Sequence, residues 1–406
     1  MTATSTEPTS PASRPRTPHV TLATLALAMG GFAIGTTEFV TMGLLPQMAQ
    51  GVGVSIPSAG HMISAYALGV VVGAPLIAIF GARLPRRGLL VALMVAFALG
   101  NAASALAVSF ESLTLARFLS GLPHGAFFGV ASLVAASMVA PHRRGRAVSL
   151  VMLGLPVANV VGVPAATWMG QHLGWRSAYW AVALLGLLTV ALVAAFVPAT
   201  AADREATGRK ELKAFARPQV WLTLLVGAVG FGGMFSMYSY IAPTVTDVTG
   251  LSSAMVPLFL LAFGVGGVVG TVLGGHLADW SILRSLVASS VAMGLALALF
   301  TVTAYSPFAA VLTVFLIATV GSVLVVNLQM RLMQVAGDAQ TLGAAMNHAA
   351  LNAANALGAW LGGLVIAAGY GYTAPSWVGA GLSAGGLLVL AVSALLHRRT
   401  LRRAVQ

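Results

Sequence analysis

The sequence predicts an all-α polytopic membrane protein, with twelve transmembrane helices in two pseudo-symmetric six-helix bundles. Three observations predict it. The 406-residue chain is 58% hydrophobic and only 7% charged, whereas soluble domains are about 25% charged. Its apolar residues form runs long enough to cross a bilayer. Finally, the longest polar stretch between such runs falls near the middle of the chain.

Runs of at least about 18 apolar residues mark the predicted spans. Each is expected to be a helix, because an exposed strand edge in lipid leaves backbone groups unpaired. Residues 1–18, rich in Thr, Ser and Pro, are predicted to be a disordered cytoplasmic tail, with no cleaved signal peptide. We predict the spans near residues 20–45, 58–80, 88–108, 112–139, 146–170, 177–198, 218–242, 256–278, 284–304, 307–330, 341–368 and 374–396.

Three weak internal repeats divide these spans into two groups of six. GARLPRR resembles GHLADWSILR at an offset of 194, GVS matches GLS at 197, and ANVVG matches ANALG at 196. Repeats of this kind are typical of transporters whose site lies between the two halves. We predict an N-terminal bundle over 19–199, a cytoplasmic linker over 200–217, a C-terminal bundle over 218–397 and a basic cytoplasmic tail over 398–406.

The basic residues predict the orientation of the chain in a bacterial cytoplasmic (inner) membrane. Lys and Arg concentrate in cytoplasmic loops. With both termini inside, 19 of the 21 basic residues fall in cytoplasmic segments. The net charge of +12 therefore indicates a membrane surface and not a nucleic-acid partner. The chain has no cysteine, which excludes disulfides and thiolate chemistry.

Three stretches, GTTEFVTMGLLPQMA, GHMISAYALGVVVGAPLIA and GLPHGAFFGV, carry a family resemblance. On them the chain resembles the major facilitator superfamily over its whole transmembrane length. Within it, the chain looks like the twelve-helix drug:proton antiporter branch, in the arabinose-polymer exporter-like and chloramphenicol-efflux-like subgroup. The resemblance implies proton-coupled efflux of amphipathic small molecules or drugs by alternating access. It implies no cofactor, and a monomer whose partners are protons, substrate and lipid.

The loop between spans 2 and 3 matches the family pattern in part. Gly81, Arg86 and Arg87 agree with it, but Pro85 stands where the family has Asp. The second half keeps the acid as Asp279, which the resemblance implies as a gating residue there.

Small residues and prolines in spans 5 and 11 let backbones approach closely. This suits an interface between halves that slide against each other, and ordinary static packing explains the same residues equally well. The residues concerned are Pro156, Gly162, Pro164 and Gly358.

One carboxylate, Glu38, interrupts the apolar sequence of span 1. A charge at the bilayer centre costs about 2.5 kcal/mol or more, so such a residue is by default a functional hypothesis. A helix that exposes this carboxyl group first to one side of the membrane and then to the other can take up a proton and release it. A structural salt bridge is the alternative.

Arg117 is the only arginine or lysine inside a predicted span rather than at its end, and His124 follows it in span 4. At about 1.5 Å per residue, Glu38 and Arg117 both lie roughly 10 Å from mid-membrane toward the outside. We therefore predict a pair in which each charge offsets the other, with His124 passing the proton inward. A snorkelling Arg117 and a histidine satisfied by a carbonyl are the alternatives.

The predicted substrate contacts are adaptable apolar side chains with few polar groups, as in most ligand sites. Span 7 is rich in aromatics and methionine, and the family lines its cavity with spans 1, 4, 7 and 10. Lipid-facing packing is the alternative. Asn159 and Asn355 are interpreted as interhelical contacts. The candidates for substrate contact are Phe39, Phe127, Phe231, Met234, Phe235, Tyr238 and Asn327.

Three other functions are alternatives to export. A sugar or other nutrient transporter of the same superfamily is the nearest alternative, although sugar sites need many convergent amides and carboxylates. An enzyme is not expected, because the chain has no H-E-x-x-H and no acid pair in a span. A sensor is disfavoured because the central loop is too short for a signalling domain.

The orientation is testable by labelling, because the natural chain has no cysteine. We expect a cysteine at Ala201 to resist an impermeant thiol reagent in intact cells and to react after permeabilisation. A cysteine at Ser252, on the predicted outer side, is the control and should react in both cases. Labelling of Ala201→Cys in intact cells would overturn the cytoplasmic placement of the linker.

Overall fold

The computed structural model describes residues 20–81, 84–140, 144–199, 217–336 and 340–405, and this part of the chain contains no strand. The all-α prediction is confirmed. Eleven helices in these ranges are long and apolar enough to cross a membrane. One of them, Val256–Thr303, has 48 residues and a non-helical Ser281 in its middle (φ −173°, ψ 109°). It makes two crossings, so the described chain crosses twelve times.

The N-terminal bundle contains spans 1 to 6. Span 4 begins at a capping box in which the side chains of Ser109 and Ser112 bond each other's backbone amides. Span 5 is composite, because a π-helical turn interrupts it. The helices are Val20–Gly43 (span 1), Leu45–Val52, Ile56–Gly81 (span 2), Arg86–Leu106 (span 3), Phe110–Ser137 (span 4), Arg144–Met152, Gly154–Val157, Ala158–Gly162 and Val163–Leu173 (span 5), and Trp175–Phe196 (span 6).

The C-terminal bundle repeats the arrangement, with span 7 as its composite member. The helices are Pro218–Leu225, Val226–Gly230, Gly232–Tyr238, Ile241–Pro243 and Thr244–Val248 (span 7), Ser253–Met255, Val256–Thr303 (spans 8 and 9), Pro307–Ala336 (span 10), Gln340–Ala367 (span 11) and Ala374–Val405 (span 12).

Two predicted boundaries differ from the structure. The predicted loop between 278 and 284 is a single sharp bend at Ser281. The predicted tail from 398 continues the helix of span 12 to Val405. The predicted tail 1–18 lies outside the described residues, as does the linker 200–217 apart from Arg217.

Close backbone contacts hold span 5 against span 1. A Cβ at Gly154 would lie 2.2 Å from the Ala28 carbonyl oxygen, and one at Gly162 would lie 2.3 Å from Thr36 Oγ1. The π-helical turn between these glycines lies between Pro156 and Pro164, and Pro164 falls in the first turn of the next helix, where its missing N–H is tolerated. Small residues at these points are therefore required by packing.

Gly358 makes a comparable contact inside the C-terminal bundle. A Cβ there would lie 2.4 Å from the Gly232 carbonyl oxygen and 2.7 Å from the Ser236 nitrogen, both in span 7. Spans 7 and 11 belong to the same bundle. The contacts of Gly358 are therefore those of ordinary packing within one half, and they do not support the predicted place at an interface between sliding halves.

We call the end of the bundle at Gly81, Ser137 and Phe196 the basic end, because the arginine-rich loops leave from it. Here Arg87 donates a hydrogen bond to the Ala194 carbonyl, and Arg86 is half-buried. Asp279 is exposed and bonds to no residue in the described part of the chain. The gating role suggested for Asp279 stays a prediction.

The opposite end, at Gly43, Leu106 and Thr303, is closed. One apolar cluster includes residues of both bundles at this end, whereas the other two clusters each belong to a single bundle. Tyr240 of span 7 seals the joint. Its hydroxyl donates to the Ala359 carbonyl at 2.7 Å, and a Cβ at Gly60 of span 2 would lie 2.1 Å from it.

Candidate functional site

Glu38 lies between the two bundles. It is 5% exposed, and it is the only buried acidic residue in the described part of the chain. Its neighbour Phe39 packs against rings of the C-terminal bundle, with centroids 6.3 Å from Phe235, 6.1 Å from Tyr238 and 6.4 Å from Phe263. The carboxyl group is therefore at the junction across which the bundles must move if they rock.

Arg117 is fully buried in span 4 at the same depth as Glu38. It donates to Thr37 Oγ1 at 3.0 Å and to the Thr37 carbonyl at 3.1 Å. Its guanidinium lies over the Tyr66 ring, 4.3 Å from the centroid, and 5.3 Å from that of Tyr179. The cation is thus held by span 1 backbone and by two aromatic faces.

The predicted pairing is corrected in one respect. Arg117 bonds the residue next to Glu38, and no ion pair joins the two charges in the ranges that the structure describes. The two groups still interact electrostatically through space. Glu38 therefore keeps its oxygens free of the arginine while it remains close to a fixed positive charge.

A hydrogen-bonded chain extends this arrangement through the N-terminal bundle. Thr37 donates to Asn101 Oδ1, and Asn101 donates to the Phe97 carbonyl at 2.8 Å. Thr41 shares a bond of 2.7 Å with the Tyr179 hydroxyl. Sequence reasoning missed these partners, although Asn101, the only side-chain amide in span 3, was a usable signal.

His124 is linked to Arg117 through Tyr66, whose hydroxyl shares a bond of 3.2 Å with His124 Nδ1. His124 Nε2 is buried without a partner. His348 of span 11 lies beside it, with ring centroids 6.4 Å apart, and stacks on Phe128 at 5.1 Å with 2° between the planes. These rings are a second contact between the bundles, nearer to the basic end than Glu38.

Phe127 does not take part in that contact. It is fully buried between spans 1 and 4, where a Cβ at Gly30 would lie 2.2 Å from its ring. Its placement does not support the predicted substrate contact. One residue corresponds to about 100° around a helix, so Phe128 takes the inter-bundle position instead.

The span 7 candidates divide into two groups. Phe235 and Tyr238 belong to the ring cluster around Phe39, and Tyr238 stacks on Phe263 at 3.7 Å. Phe231 and Met234 instead pack inside the C-terminal bundle, where a Cβ at Gly321 of span 10 would lie 3.3 Å and 3.0 Å from them. The first pair packs against Phe39 at the junction between the bundles, whereas the second fills a core.

The buried side-chain amides Asn327 and Asn355 have different surroundings. Asn327 donates to carbonyls of Val323 and Gly274 at 2.9 and 3.3 Å, which ties span 10 to span 8. This placement does not support its predicted substrate contact. Asn355 of span 11 faces the Glu38 carboxyl group. Neither its nitrogen nor its oxygen reaches hydrogen-bond geometry with a described group.

A twelve-span bundle with an ionisable residue between two repeated halves is the architecture of a membrane transporter. Comparisons with known proteins agree. The Major Facilitator Superfamily profile matches residues 27–347. The chain belongs to this superfamily, whose members are transporters and not enzymes.

Three relatives support the predicted subgroup, which is confirmed. Inner membrane transport protein YdhP of Escherichia coli K12 is 43% identical over 370 residues, covering 91% of this chain and 95% of YdhP. Putative transporter AraJ of the same strain is 34% identical over 349 residues, covering 86% and 89%. A chloramphenicol resistance protein of Streptomyces lividans is 34% identical over 371 residues, covering 89% and 94%.

The solved structure of a D-xylose-proton symporter aligns with a TM-score of 0.75, covering 92% of this chain and 97% of that one. Its sequence identity is 16%, so it shows the fold alone.

The electrostatic link between Glu38 and Arg117 predicts a non-additive effect on stability. Arg117→Gln removes the cation and leaves the buried acid without a neighbouring positive charge, so we expect the variant to be less stable than the wild type. Adding Glu38→Gln removes the remaining charge. We expect the double variant to melt higher in detergent than Arg117→Gln alone. Additive losses would show that the two charges are not coupled.

Proposed function

We propose that the protein is a proton-coupled exporter of amphipathic small molecules that works by alternating access, with Glu38 as the coupling group. One observation carries the proposal. The single buried carboxylate in the described chain is at the joint between the bundles, beside a fixed cation and a cluster of rings. Its protonation state can therefore bias how the bundles sit against each other.

In the proposed cycle, Glu38 is exposed to the outside and to the cytoplasm in turn. When the site opens outward, a proton from outside neutralises Glu38 and substrate leaves. The neutral acid is accommodated in the closed apolar joint at lower cost than the ion. When the site opens inward, Glu38 releases the proton and substrate binds. Arg117 stays bonded to Thr37 and stabilises the ionised acid.

The proton gradient supplies enough energy for this exchange. One proton crossing 100 mV releases roughly 2.3 kcal/mol, and one pH unit adds about 1.4 kcal/mol. Together they support a substrate gradient of a few hundredfold for one proton per substrate.

Two features bear on the transport cycle, and only the second bears on its direction. The joint is sealed at the end opposite to the arginine-rich loops. With those loops in the cytoplasm, the structure corresponds to a state that is closed toward the outside. The relative from Streptomyces lividans is called a chloramphenicol resistance protein, and resistance favours export over import.

A sugar or nutrient carrier of the same superfamily is the second candidate, because the fold is also that of a D-xylose-proton symporter and does not by itself distinguish the two. Sugar recognition needs many convergent hydrogen-bonding groups. At the junction next to Glu38, the side chains that meet are mainly aromatic: Phe39, Phe235, Tyr238 and Phe263. Growth of an efflux-deficient host on a panel of drugs and sugars, with and without the gene, separates the two candidates.

Coupling is tested by Glu38→Gln, which keeps the size and removes the titration. In inverted vesicles energised by respiration, we expect compounds exported by the wild type to release protons from the lumen. That release should fall to background in Glu38→Gln, while membrane insertion is unchanged. Glu111→Gln is the control, because Glu111 is exposed at the start of span 4 and its loss should leave the flux intact.

Full proton release by Glu38→Gln vesicles would mean that another group carries the proton. Loss of release in both variants would indicate a general defect and would remove the special role given to Glu38.

A further inference from the structure

We infer that His124 and His348, one from each bundle, form a binding site for a soft monovalent metal ion, Ag(I) or Cu(I). The two rings meet nearer to the basic end than Glu38. The site is separate from the Glu38 carboxyl group, and the inference depends neither on proton coupling nor on the direction of transport.

The two ring nitrogens of His124 have different surroundings. Nδ1 shares a bond of 3.2 Å with the Tyr66 hydroxyl, whereas Nε2 is buried and bonds to no group in the described chain. Because a tyrosine hydroxyl can accept a hydrogen bond, Tyr66 can hold the tautomer that carries its proton on Nδ1. The lone pair of Nε2 is then open to a metal ion, as in histidines whose other nitrogen is fixed by a second group.

His348 of span 11 supplies the second ring. It stacks flat on Phe128, with 2° between the planes, and its ring nitrogens bond to no residue that the structure describes. His348 is half-buried, whereas His124 is 1% exposed. An ion can therefore reach the pair at His348 and exchange its water for the two rings.

The separation of the rings fits one ion held between them in a nearly straight line. Their centroids are 6.4 Å apart. A metal–nitrogen bond of about 2.0 Å, with the ring centre about 1.1 Å further on, gives centroids about 6.2 Å apart for a linear ion and about 5 Å for a tetrahedral one. A direct hydrogen bond between the rings would also need about 5 Å. The 56° between the ring planes is permitted, since each ring can turn about a linear nitrogen–metal–nitrogen axis.

The number of ligands and the local charge indicate the class of ion. No group of three or more His, Asp or Glu side chains that could hold a metal occurs in the described chain, whereas zinc sites have at least three protein ligands. Arg117 lies over the Tyr66 ring, 4.3 Å from its centroid, and the two imidazoles bring no negative charge. An ion with one charge is repelled less here than an ion with two. Ag(I) and Cu(I) carry one charge and accept two ligands in line.

An ion bound to both rings would join the bundles. His124 is in span 4 and His348 in span 11, so the bundles cannot part at this level without separating the rings. Ion binding and opening at the basic end would therefore exclude each other. The ion would act on this protein as an inhibitor of rocking and not as its cargo.

The test is titration of the purified full-length protein with silver nitrate, followed by calorimetry in detergent and chloride-free buffer at pH 8. We expect one Ag(I) per chain to bind more tightly than any held by methionine side chains, and to raise the melting temperature. His124→Gln and His348→Gln should each weaken this site at least about tenfold. Zn(II) should bind to the wild type at least about tenfold more weakly than Ag(I).

His172→Gln is the matched control. His172 is exposed, and its Nδ1 contacts the Trp168 carbonyl at 2.8 Å, so its loss should leave the tight site unchanged. Tyr66→Phe should weaken the site without abolishing it, because only the bond that orients His124 is removed. If His124→Gln does not fold, His348→Gln decides alone, since the His348 ring bonds to no described residue.

X-ray absorption of protein loaded with one equivalent of Cu(I) under ascorbate should show two nitrogen neighbours and no sulfur. Sulfur neighbours, tighter binding of Zn(II), or an unchanged tight site in His348→Gln would each overturn the inference. So would equal Ag(I) binding by the wild type and by the double variant His124→Gln with His348→Gln. None of these results alters the proton release assigned to Glu38, so the proposed function is tested separately.

Discussion

The structure depends on one constraint: a carboxylate must be accommodated in an apolar bundle without being fixed there. Glu38 meets it through proximity to Arg117 without a direct ion pair. Arg117 is itself bonded to Thr37 and enclosed by two tyrosine rings. A tight salt bridge would hold the acid in one protonation state and one position, because breaking a buried pair is costly. The looser arrangement leaves the carboxyl group able to exchange a proton or a ligand.

Glycines bring backbones into contact both within and between the bundles. Within the N-terminal bundle, a Cβ at Gly154 would lie 2.2 Å from the Ala28 carbonyl oxygen. Between the bundles, a Cβ at Gly264 of span 8 would lie 2.5 Å from the Asn159 carbonyl oxygen of span 5. Rings around Phe39 and at His348 add side-chain contacts between the bundles. A rocking movement must therefore exchange backbone contacts as well as ring contacts.

The sequence was sufficient for the fold and for the position of the acid. Run lengths gave the spans, and counting residues placed Glu38 and Arg117 at one depth. The sequence does not predict which side of a helix points toward the other bundle, because successive residues are turned by about 100° around the helix axis. Phe127 therefore lies between spans 1 and 4 while Phe128 contacts the other bundle, and Asn327 and Gly358 pack within one bundle. The bend at Ser281 was missed because polar residues there indicate a loop equally well.

The central claim is that protonation of Glu38 sets the relative position of the bundles. The most direct measurement is double electron–electron resonance between spin labels on Ser137→Cys and Gln334→Cys. Both positions are exposed at the basic end of spans 4 and 10. In liposomes, the distance distribution should change between pH 8 and pH 5.5 in the wild-type background. It should be the same at both values in Glu38→Gln. An unaltered pH response in Glu38→Gln would contradict the account and would assign the switch to another group, such as His124 or His348.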